Sequence, residues 1–342
     1  MAATIDSVRI TDVFLRDGLQ AVGRLPSAAA FGTQTKLDLF RDLVAAGVPE
    51  IEVTSFVRPD VIPILADAEA VTAAALAESG DVVLRALVPN LKGAERALNT
   101  GIRKLAALLA VSPTYQRLNS RMSVEAGLDG IRDIVKRAAP DGVAVAASLA
   151  ISFICPYEGV IPEPRILEMV GRLVEMGVSE ISLADSVGLA WPDLVKERLE
   201  AVRCAAPQVI FGLHLHNLGG VALANAFAAL EVGVRNFDGA IGGVGSGIAM
   251  PVESLDLGNV ATEDLNYMFT QGGFTTGIDQ AAISELGARA KMMAGGGGSH
   301  AAHFQSLDRF LAQSRQALPL LENAPPGEGP TKVASPEWRR SR

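Results

Sequence analysis

Eight short apolar runs alternate along the chain with stretches in which apolar residues recur about every 3.6 positions. The runs are of strand type and read, in order, VRITDVFL, EIEVTSF, VVLRALV, KLAALLAV, GVAVAASLAIS, EISLAD, VIFGLHLH and VRNFDGAI. Stretches between them, such as TKLDLFRDLVAAG and EPRILEMVGRLVEMG, are typical of amphipathic helices, and several end in a glycine that can terminate the helix. Strands that are apolar along most of their length belong to parallel sheets covered by helices. Eight such units predict an α/β fold with a closed (β/α)8 architecture, the TIM barrel.

An open, doubly wound sheet is the alternative architecture for the same alternation of strands and helices. A G-x-G-x-x-G turn after the first strand would favour the open sheet, because that turn binds the phosphates of a dinucleotide. The sequence has no such turn at that place. The closed barrel is therefore the predicted fold.

The region after about residue 275 follows a different pattern. GIDQAAISELGARAKMMA and AAHFQSLDRFLAQSRQAL each predict a helix, and the glycine run between them predicts a flexible break. The final residues are rich in proline, glycine and charge, a composition typical of disorder. We expect a TIM-barrel catalytic domain over 1–290, a helical segment over 291–320 and a disordered tail over 321–342.

Charge, hydropathy and cysteine content limit the classes of function. The formal net charge of −8 argues against a broad nucleic-acid-binding surface. No apolar run reaches the roughly 18–20 residues of a membrane span, and the N-terminus lacks the basic and apolar regions of a secretory signal. Two cysteines cannot form a disulfide framework and fit a reducing compartment. The sequence thus predicts a cytoplasmic protein whose partner is a small molecule, not a nucleic acid or a membrane.

Polar side chains concentrate at the C-terminal ends of the predicted strands. They are Arg16, Asp17 and Gln20 after the first strand, Glu52 and Ser55 in the second, Asn90 and Lys92 after the third, Asp185 and Ser186 at the sixth, and His214 and His216 in the seventh. In a closed barrel these ends converge on the place where chemistry occurs. Ionisable groups in a barrel mouth are costly unless they are paired or bound to a ligand. We therefore expect a functional site at this end.

Two of the four histidines, His214 and His216, are separated by a single residue. Residues two apart in a strand face the same side, so both imidazoles are expected to point into the barrel mouth, close enough to share one cation. Asp17 can add a carboxylate from the first strand. Two imidazoles and a carboxylate with open positions suit Mg, Mn, Fe or Co better than a closed structural zinc site. A pair of hydrogen-bonded core histidines is the alternative interpretation.

Seven motifs occur in one order along residues 8–290, namely RDGLQ, IEVTSF, VPNLKG, CPYEG, EISLADSVGLA, HLHN with ALAN and AALEVGV, and GNVATEDLNYM. Together they resemble the 3-hydroxy-3-methylglutaryl-CoA lyase family, which belongs to the metal-dependent TIM-barrel lyases. The resemblance implies cleavage of a 3-hydroxy-acyl-CoA into acetyl-CoA and a 3-oxo acid by retro-Claisen or aldol chemistry. It also implies a divalent metal, Mg²⁺ or Mn²⁺, as cofactor, an acyl-CoA as the small-molecule partner, and a place in amino-acid catabolism. It is compatible with a homodimer.

The matching motifs imply a role for each site residue. By the resemblance, Arg16 would hold the thioester carbonyl and stabilise the enolate formed there, and Glu52 would orient that arginine. Asp185 would contact the hydroxyl end of the substrate, with Ser186 in support. The implied metal ligands are Asp17, His214, His216 and Asn259. The further candidates for substrate binding are Gln20, Ser55, Asn90 and Lys92.

Two departures from the family pattern leave the substrate open. The family carries a cysteine in the glycine-rich loop after the eighth strand, where it protonates the product enolate. The matching stretch here, GGVGSGIAMPVESLDLGN, offers Ser246, a much weaker acid. After the histidines the chain has NLGG, which resembles the related synthases and 4-hydroxy-2-oxoacid aldolases. The alternatives are a metal-dependent aldolase acting on a hydroxy-oxo acid or another hydroxy-acyl-CoA, and a catalytically silent barrel that only binds a ligand.

Overall fold

The computed structural model describes residues 6–245, 249–250, 258–295 and 307–323. Its strands, numbered in chain order, are β1 Arg9–Asp12, β2 Glu50–Ser55, β3 Val83–Val88, β4 Lys104–Ala110, β5 Ala144–Ala150, β6 Ile154–Cys155, β7 Gly159–Val160, β8 Glu180–Asp185, β9 Ile210–Leu215 and β10 Asn236–Gly239. Eight of them pair in parallel and close into a barrel in the order β1-β10-β9-β8-β5-β4-β3-β2. Each barrel strand lies within one of the eight predicted runs, so the predicted TIM barrel is confirmed.

Helices follow the barrel strands, as the periodicity predicts. Those in the described residues are α1 Leu19–Val22, α2 Thr33–Ala45, α3 Ala68–Glu78, α4 Leu91–Leu98, α5 Pro113–Ser120, α6 Val124–Ala138, α7 Glu163–Glu175, α8 Pro192–Ala205, α9 Ala222–Glu231, α10 Thr262–Gln271, α11 Gln280–Ala294 and α12 Leu307–Glu322. Gly47 and Gly177 follow α2 and α7 with φ of +83° and +92°. A side chain rarely adopts this left-handed conformation, so glycine ends each helix and lets the chain turn toward the next strand.

The interior of the barrel carries a layer of ion pairs at the N-terminal ends of the strands. Lys104 of β4 places its Nζ 2.8 Å from Glu50 Oε1 and 2.8 Å from Glu180 Oε1. Arg9 of β1 adds contacts of 3.2 Å to Glu50 and 3.3 Å to Glu180. A buried carboxylate is tolerated only with such partners, because burial removes its hydration. This layer, named here the lower ionic layer, fills the end of the barrel away from the C-terminal mouth.

The structure corrects the sequence prediction at two places. The first strand ends at Asp12 rather than continuing to residue 15, and Phe14–Gly18 forms one turn of π-helix. The CPYEG segment contains the short antiparallel β6–β7 hairpin, in which Cys155 pairs with Gly159. Both differences lie at the barrel mouth, where irregular backbone serves the site rather than the barrel wall.

The C-terminal region contains both helices that the sequence predicts, α11 and α12. Arg117 of α5 forms an ion pair with Glu322 of α12, which connects this last helix to the barrel. The division into 1–290, 291–320 and 321–342 stays a prediction, and residues 324–342 lie outside those that the structure describes. Within the described ranges, no helix is long and apolar enough to cross a membrane.

Candidate active site

The π-helical turn after β1 places two adjacent charged residues at the barrel mouth. The backbone N–H groups of Asp17 and Gly18 both donate to the Val13 carbonyl, at 2.7 and 3.4 Å, and the second bond widens the turn. Single turns of this kind occur frequently at functional sites. Arg16 and Asp17 form an ion pair in this turn. The turn therefore presents a cation and an anion side by side.

Three buried side chains meet at the mouth, as the sequence predicts. One ligand atom from each of Asp17, His214 and His216 lies within 4.8 Å of the others. The two Nε2 atoms of His214 and His216 are 3.3 Å apart, and Asp17 Oδ2 lies 3.9 Å from His216 Nε2. The two imidazoles therefore face the same side of β9, and this group can hold a divalent cation.

Asn259 completes the group from the segment that follows the glycine-rich loop. Val260 N–H donates to the Leu215 carbonyl at 2.8 Å, which holds this segment against the end of β9 beside His216. Asn259 Nδ2 donates to Asp17 Oδ2 at 2.7 Å and to the Val244 carbonyl at 3.1 Å. Its Oδ1 is buried and has no hydrogen-bond partner among the residues that the structure describes. A buried amide oxygen without a donor is costly, and a cation would satisfy it.

The space around these ligands and their charge both suit a divalent ion. Gly245 lies so close that a Cβ there would be 2.0 Å from Asn259 Nδ2 and 2.7 Å from Asp17 Oδ2. Burial disfavours ionisation of Asp17, but the Arg16 guanidinium, the two imidazoles and the Asn259 amide together outweigh burial and hold the pKa of the carboxyl below its ordinary value. Two imidazoles, a carboxylate and an amide oxygen form a donor set for Mg²⁺, Mn²⁺ or Co²⁺. The residues present therefore fit a divalent metal.

Arg16 is held in place by Glu52. The Arg16 Nε donates to Glu52 Oε1, and the side chains are 11% and 1% exposed. Burial opposes the charge of Arg16, yet the Glu52 and Asp17 carboxylates raise its pKa above the ordinary value. This is the contact that the family resemblance implies for Glu52. A guanidinium with this environment is a permanent cation beside the triad.

Two buried residues of this site, Arg85 of β3 and Asp238 of β10, were not singled out from the sequence. Arg85 donates to Glu52 Oε2 at 2.6 Å and to Asp238 Oδ2 at 3.0 Å. Asp238 Oδ2 also lies 3.1 Å from His214 Nδ1. A carboxylate behind a metal-binding histidine orients the ring and raises its basicity. The signal available in the sequence was a charged residue inside an apolar strand, in LRAL and NFDG.

Asp185 and Ser186 contact backbone groups in this structure. The two oxygens of Asp185 accept from Gly188 N–H at 3.0 Å and Ala190 N–H at 2.9 Å, and burial raises the pKa of this carboxyl to about 6. Ser186 Oγ accepts from Ile151 N–H at 3.0 Å. These bonds order the loop after β8 beside the site. Contact of either residue with substrate stays a prediction.

The remaining predicted residues differ in their burial and contacts. Asn90 is exposed and caps α4 by accepting from Gly93 N–H at 3.0 Å, and Lys92 is exposed in that helix. Gln20 is half-buried and Ser55 is buried. Their roles in substrate binding stay predictions. Ser246 lies outside the described residues.

The CPYEG segment contributes a buried cluster at the mouth. The Cys155 thiol is buried and donates to Ser112 Oγ at 3.1 Å, and burial raises its pKa. The Tyr157 hydroxyl donates to the Ala249 carbonyl at 2.8 Å. Cys155 therefore packs under the hairpin, while Tyr157 holds the described part of the glycine-rich loop.

A closed parallel barrel with a histidine–carboxylate centre and a buried arginine at its C-terminal mouth defines an enzyme of the metal-binding barrel class. The profile of the HMGL-like family matches residues 7–289. The (R)-citramalyl-CoA lyase of Chloroflexus aurantiacus is 34% identical over 288 residues, which cover 82% of this chain and 88% of that protein. The chain belongs to the HMGL-like family and is a carbon–carbon lyase.

Solved structures agree with this assignment. The HMG-CoA lyase of Bacillus subtilis has a TM-score of 0.79 and 33% identity, and the match covers 88% of this chain and 99% of that one. An HMG-CoA lyase of Acinetobacter baumannii, in complex with coenzyme A and 3-methylmalate, has a TM-score of 0.77 and 34% identity, covering 89% of this chain and 96% of that one. Both matches cover nearly nine-tenths of this chain.

Proposed function

We propose that the chain is a divalent-metal-dependent lyase that cleaves a 3-hydroxy-acyl-CoA into acetyl-CoA and a 3-oxo acid, with Mg²⁺ or Mn²⁺ as the metal. The observation that carries the proposal is the group of Asp17, His214 and His216, whose ligand atoms lie within 4.8 Å of one another beside Arg16. The similar proteins named above act on, or are named for, thioesters of this type. The coenzyme A in the Acinetobacter complex supports an acyl-CoA as ligand.

The reaction breaks the bond between the hydroxyl-bearing carbon and the α-carbon of the thioester. The hydroxyl loses its proton, its oxygen becomes the carbonyl of the 3-oxo acid, and the electron pair of the broken bond moves onto the thioester as an enolate. A proton returned to the α-carbon then gives acetyl-CoA. A divalent ion held by Asp17, His214, His216 and Asn259 would supply Lewis acidity that lowers the pKa of the substrate hydroxyl.

The side chains of the site would carry out the remaining steps. Arg16, oriented by Glu52, would donate to the thioester oxygen as negative charge develops there, an interaction worth about 3 kcal/mol in comparable sites. A carboxylate or imidazole of the site would take the hydroxyl proton. Ser246 or a water molecule would return a proton to the enolate, since no cysteine is present in the loop sequence.

A second candidate is cleavage of a different hydroxy-acyl-CoA, such as citramalyl-CoA. The observation that favours it is the 34% identity to a citramalyl-CoA lyase over 82% of this chain. Its chemistry is the same at the breaking bond, because the hydroxyl again lies on the carbon next to the thioester's α-carbon. The two candidates differ in the carboxylate-bearing end of the substrate and hence in the second product, which is a 3-oxo acid for the first candidate and the 2-oxo acid pyruvate for citramalyl-CoA.

The test is a substrate panel assayed after metal removal and after addition of Mg²⁺, Mn²⁺ or Co²⁺. Metal-dependent release of acetyl-CoA from 3-hydroxy-3-methylglutaryl-CoA supports the proposal, and release from citramalyl-CoA supports the second candidate. Release of pyruvate from a 4-hydroxy-2-oxo acid, without turnover of either thioester, would identify an aldolase. Metal binding without any turnover would identify a silent barrel. Arg16→Lys should lose most turnover, since a lysine cannot reproduce the planar fork.

A further inference from the structure

Arg85 lies in the barrel interior beside the site and contacts both Glu52, the partner of Arg16, and Asp238, the partner of His214. We infer that Arg85 is a positioning residue that fixes the place of Arg16, the enolate-stabilising arginine, relative to His214, one of the metal-binding histidines. It acts through two carboxylates, Glu52 and Asp238, and has no assigned role in the reaction. The activity readout below rests on the proposed function, whereas the metal-binding readout does not.

The contacts of Arg85 form a continuous chain between Arg16 and His214. Glu52 accepts from Arg16 with Oε1 and from Arg85 with Oε2, the second bond being 2.6 Å. Asp238 Oδ2 lies 3.0 Å from Arg85 Nη2 and 3.1 Å from His214 Nδ1. Each carboxylate therefore divides its charge between Arg85 and one residue of the site. Moving Arg85 would change both contacts at once.

The path of the Arg85 side chain crosses the barrel interior. Its own strand, β3, neighbours β2, which carries Glu52, but Asp238 lies on β10, three positions away around the barrel. β3 and β10 do not pair with each other through their backbones, so the guanidinium provides a direct side-chain contact between them. A planar fork with five donors can hold two carboxylates at fixed angles, whereas a lysine offers one point charge.

Burial of the Arg85 charge costs free energy unless carboxylates lie close to it. Arg85 is 7% exposed, and its third anionic neighbour, Glu50, lies 3.8 Å from Nη1. Burial opposes the charge, but Asp238, Glu52 and Glu50 hold the pKa of Arg85 well above its ordinary value. Loss of the guanidinium would leave Glu52 and Asp238 as buried anions with one partner each. Both would rearrange, and Arg16 and His214 would follow them.

Lys104 provides a matched control for removal of a buried cation. It pairs with Arg85 in the β3–β4 register, is 8% exposed and contacts the same Glu50, at 2.8 Å. Its other partner, Glu180, belongs to the lower ionic layer, away from the triad. Arg85→Met and Lys104→Met therefore each remove one cation from the barrel interior, but only the first removes a partner of Glu52 and Asp238.

The experiment compares the two variants with the wild type by Mn²⁺ binding, measured by electron paramagnetic resonance, and by kcat and KM on the thioester that the wild type cleaves. For Arg85→Met we expect the Mn²⁺ Kd to rise about 10–100-fold, the usual effect of losing support behind a metal ligand. We also expect kcat to fall at least about 10-fold, because Arg16 loses its orientation. For Lys104→Met we expect a lower melting temperature, with Mn²⁺ Kd and kcat within about threefold of wild type.

Two results would overturn the inference. One is an Arg85→Met protein that is folded by circular dichroism and keeps both constants within threefold of the wild type. The other is equal loss in Lys104→Met, because the effect would then follow from removing any interior cation. If Arg85→Met does not fold, Arg85→Lys decides the matter, since it keeps the charge but not the fork; unchanged Mn²⁺ Kd and kcat in that variant would contradict the inference.

Failure of the proposed function has a different signature. A wild type that binds Mn²⁺ but cleaves no thioester, together with a weakened Mn²⁺ Kd in Arg85→Met, would refute the lyase proposal and keep the role of Arg85 at the metal. A wild type that binds no Mn²⁺ would refute both.

Discussion

Substitution of Gly245 by alanine tests the geometry of the site with a single methyl group. The ideal Cβ at this position lies 2.0 Å from Asn259 Nδ2, 2.7 Å from Asn259 Cγ and 2.7 Å from Asp17 Oδ2. The φ of Gly245 is outside the left-handed region, so alanine is compatible with the backbone itself. The atoms nearest to the new methyl group therefore belong to two proposed metal ligands, Asn259 and Asp17.

The size of the effect follows from these distances. An ordinary contact of a Cβ begins at 3.4 Å, so the Asn259 amide must move by about 1.4 Å or the loop backbone must move away. A displacement of about 1 Å in a catalytic group costs on the order of 100-fold in rate. We expect kcat/KM to fall by about 100-fold and the Mn²⁺ Kd to rise about 10–100-fold. Overpacking at the loop should lower the free energy of unfolding by about 1–3 kcal/mol.

The assay needs a control for the loss of a glycine as such. Gly171 lies within α7, and a Cβ there meets no heavy atom within 4 Å. Gly171→Ala should keep full Mn²⁺ affinity and kcat/KM, with stability equal to or slightly above that of the wild type. Asn259→Ala alone and combined with Gly245→Ala shows whether the clash acts through the amide. If the clash acts through the amide, the double variant should have the same Mn²⁺ Kd and kcat/KM as Asn259→Ala alone.

The reasoning is wrong if Gly245→Ala binds Mn²⁺ and turns over substrate like the wild type. The loop would then accept the methyl group by its own movement, and the close approach of Gly245 to the ligands would have no functional meaning. Additive losses in the double variant would show that the clash acts elsewhere, at Asp17 or at the loop backbone.

Three further outcomes follow from particular contacts. Burial raises the pKa of Glu263 from 4.5 to about 7 in the folded protein. The stability that the protonated carboxyl contributes is therefore fully present below about pH 4.5 and is lost as the pH rises through 7. Glu263→Gln keeps an acceptor for Gly242 N–H. In urea unfolding, the free energy of unfolding of this variant should equal that of the wild type at pH 4 and exceed it at pH 8 by on the order of 1–2 kcal/mol. Equal stability of the two proteins at both pH values would refute the shift. Tyr157→Phe removes the hydroxyl that donates to Ala249 and should cost about 1 kcal/mol of stability in the same assay, with Mn²⁺ affinity within threefold of wild type. Mn²⁺ at 100 times its Kd should stabilise the wild type by about 2.7 kcal/mol in a thermal shift assay, and His216→Ala should lose most of this gain; an undiminished gain would exclude His216 as a ligand.

The sequence was sufficient to predict the barrel and the centre of its site. Strand and helix periodicities alternate eight times, and the apolar runs all became barrel strands because only a covered parallel sheet buries such strands on both faces. His214 and His216 share a face because side chains alternate along a strand. Asp17 reaches them because barrel closure brings β1 next to β10, which pairs with β9.

Other features depend on distances that no local pattern contains. The first two residues of the π-helical turn, Phe14 and Leu15, fall in the predicted strand, since they continue the apolar run and one extra residue in a turn leaves no periodic trace. The contact between Asn259 Nδ2 and Val244 joins the two ends of the glycine-rich loop, and it depends on the path of the loop. Such contacts form only once the chain has closed on itself.

Arg85 and Asp238 show that a charged residue within an apolar strand predicts an ion pair in the barrel interior. A buried guanidinium cannot remain unpaired, so a barrel strand that contains one requires carboxylates on other strands within its reach. Strand register supplies two of these contacts, because Glu52 pairs with Arg85 and Asp238 pairs with His214, whereas the contact of Arg85 with Asp238 crosses the barrel interior. Lys104 shows the limit of register, because it pairs with Arg85 but contacts Glu50 and Glu180 of the lower ionic layer. Interior charges in apolar barrel strands therefore predict that ion pairs form, while the closed fold decides which partners meet and which of the pairs lie beside the site.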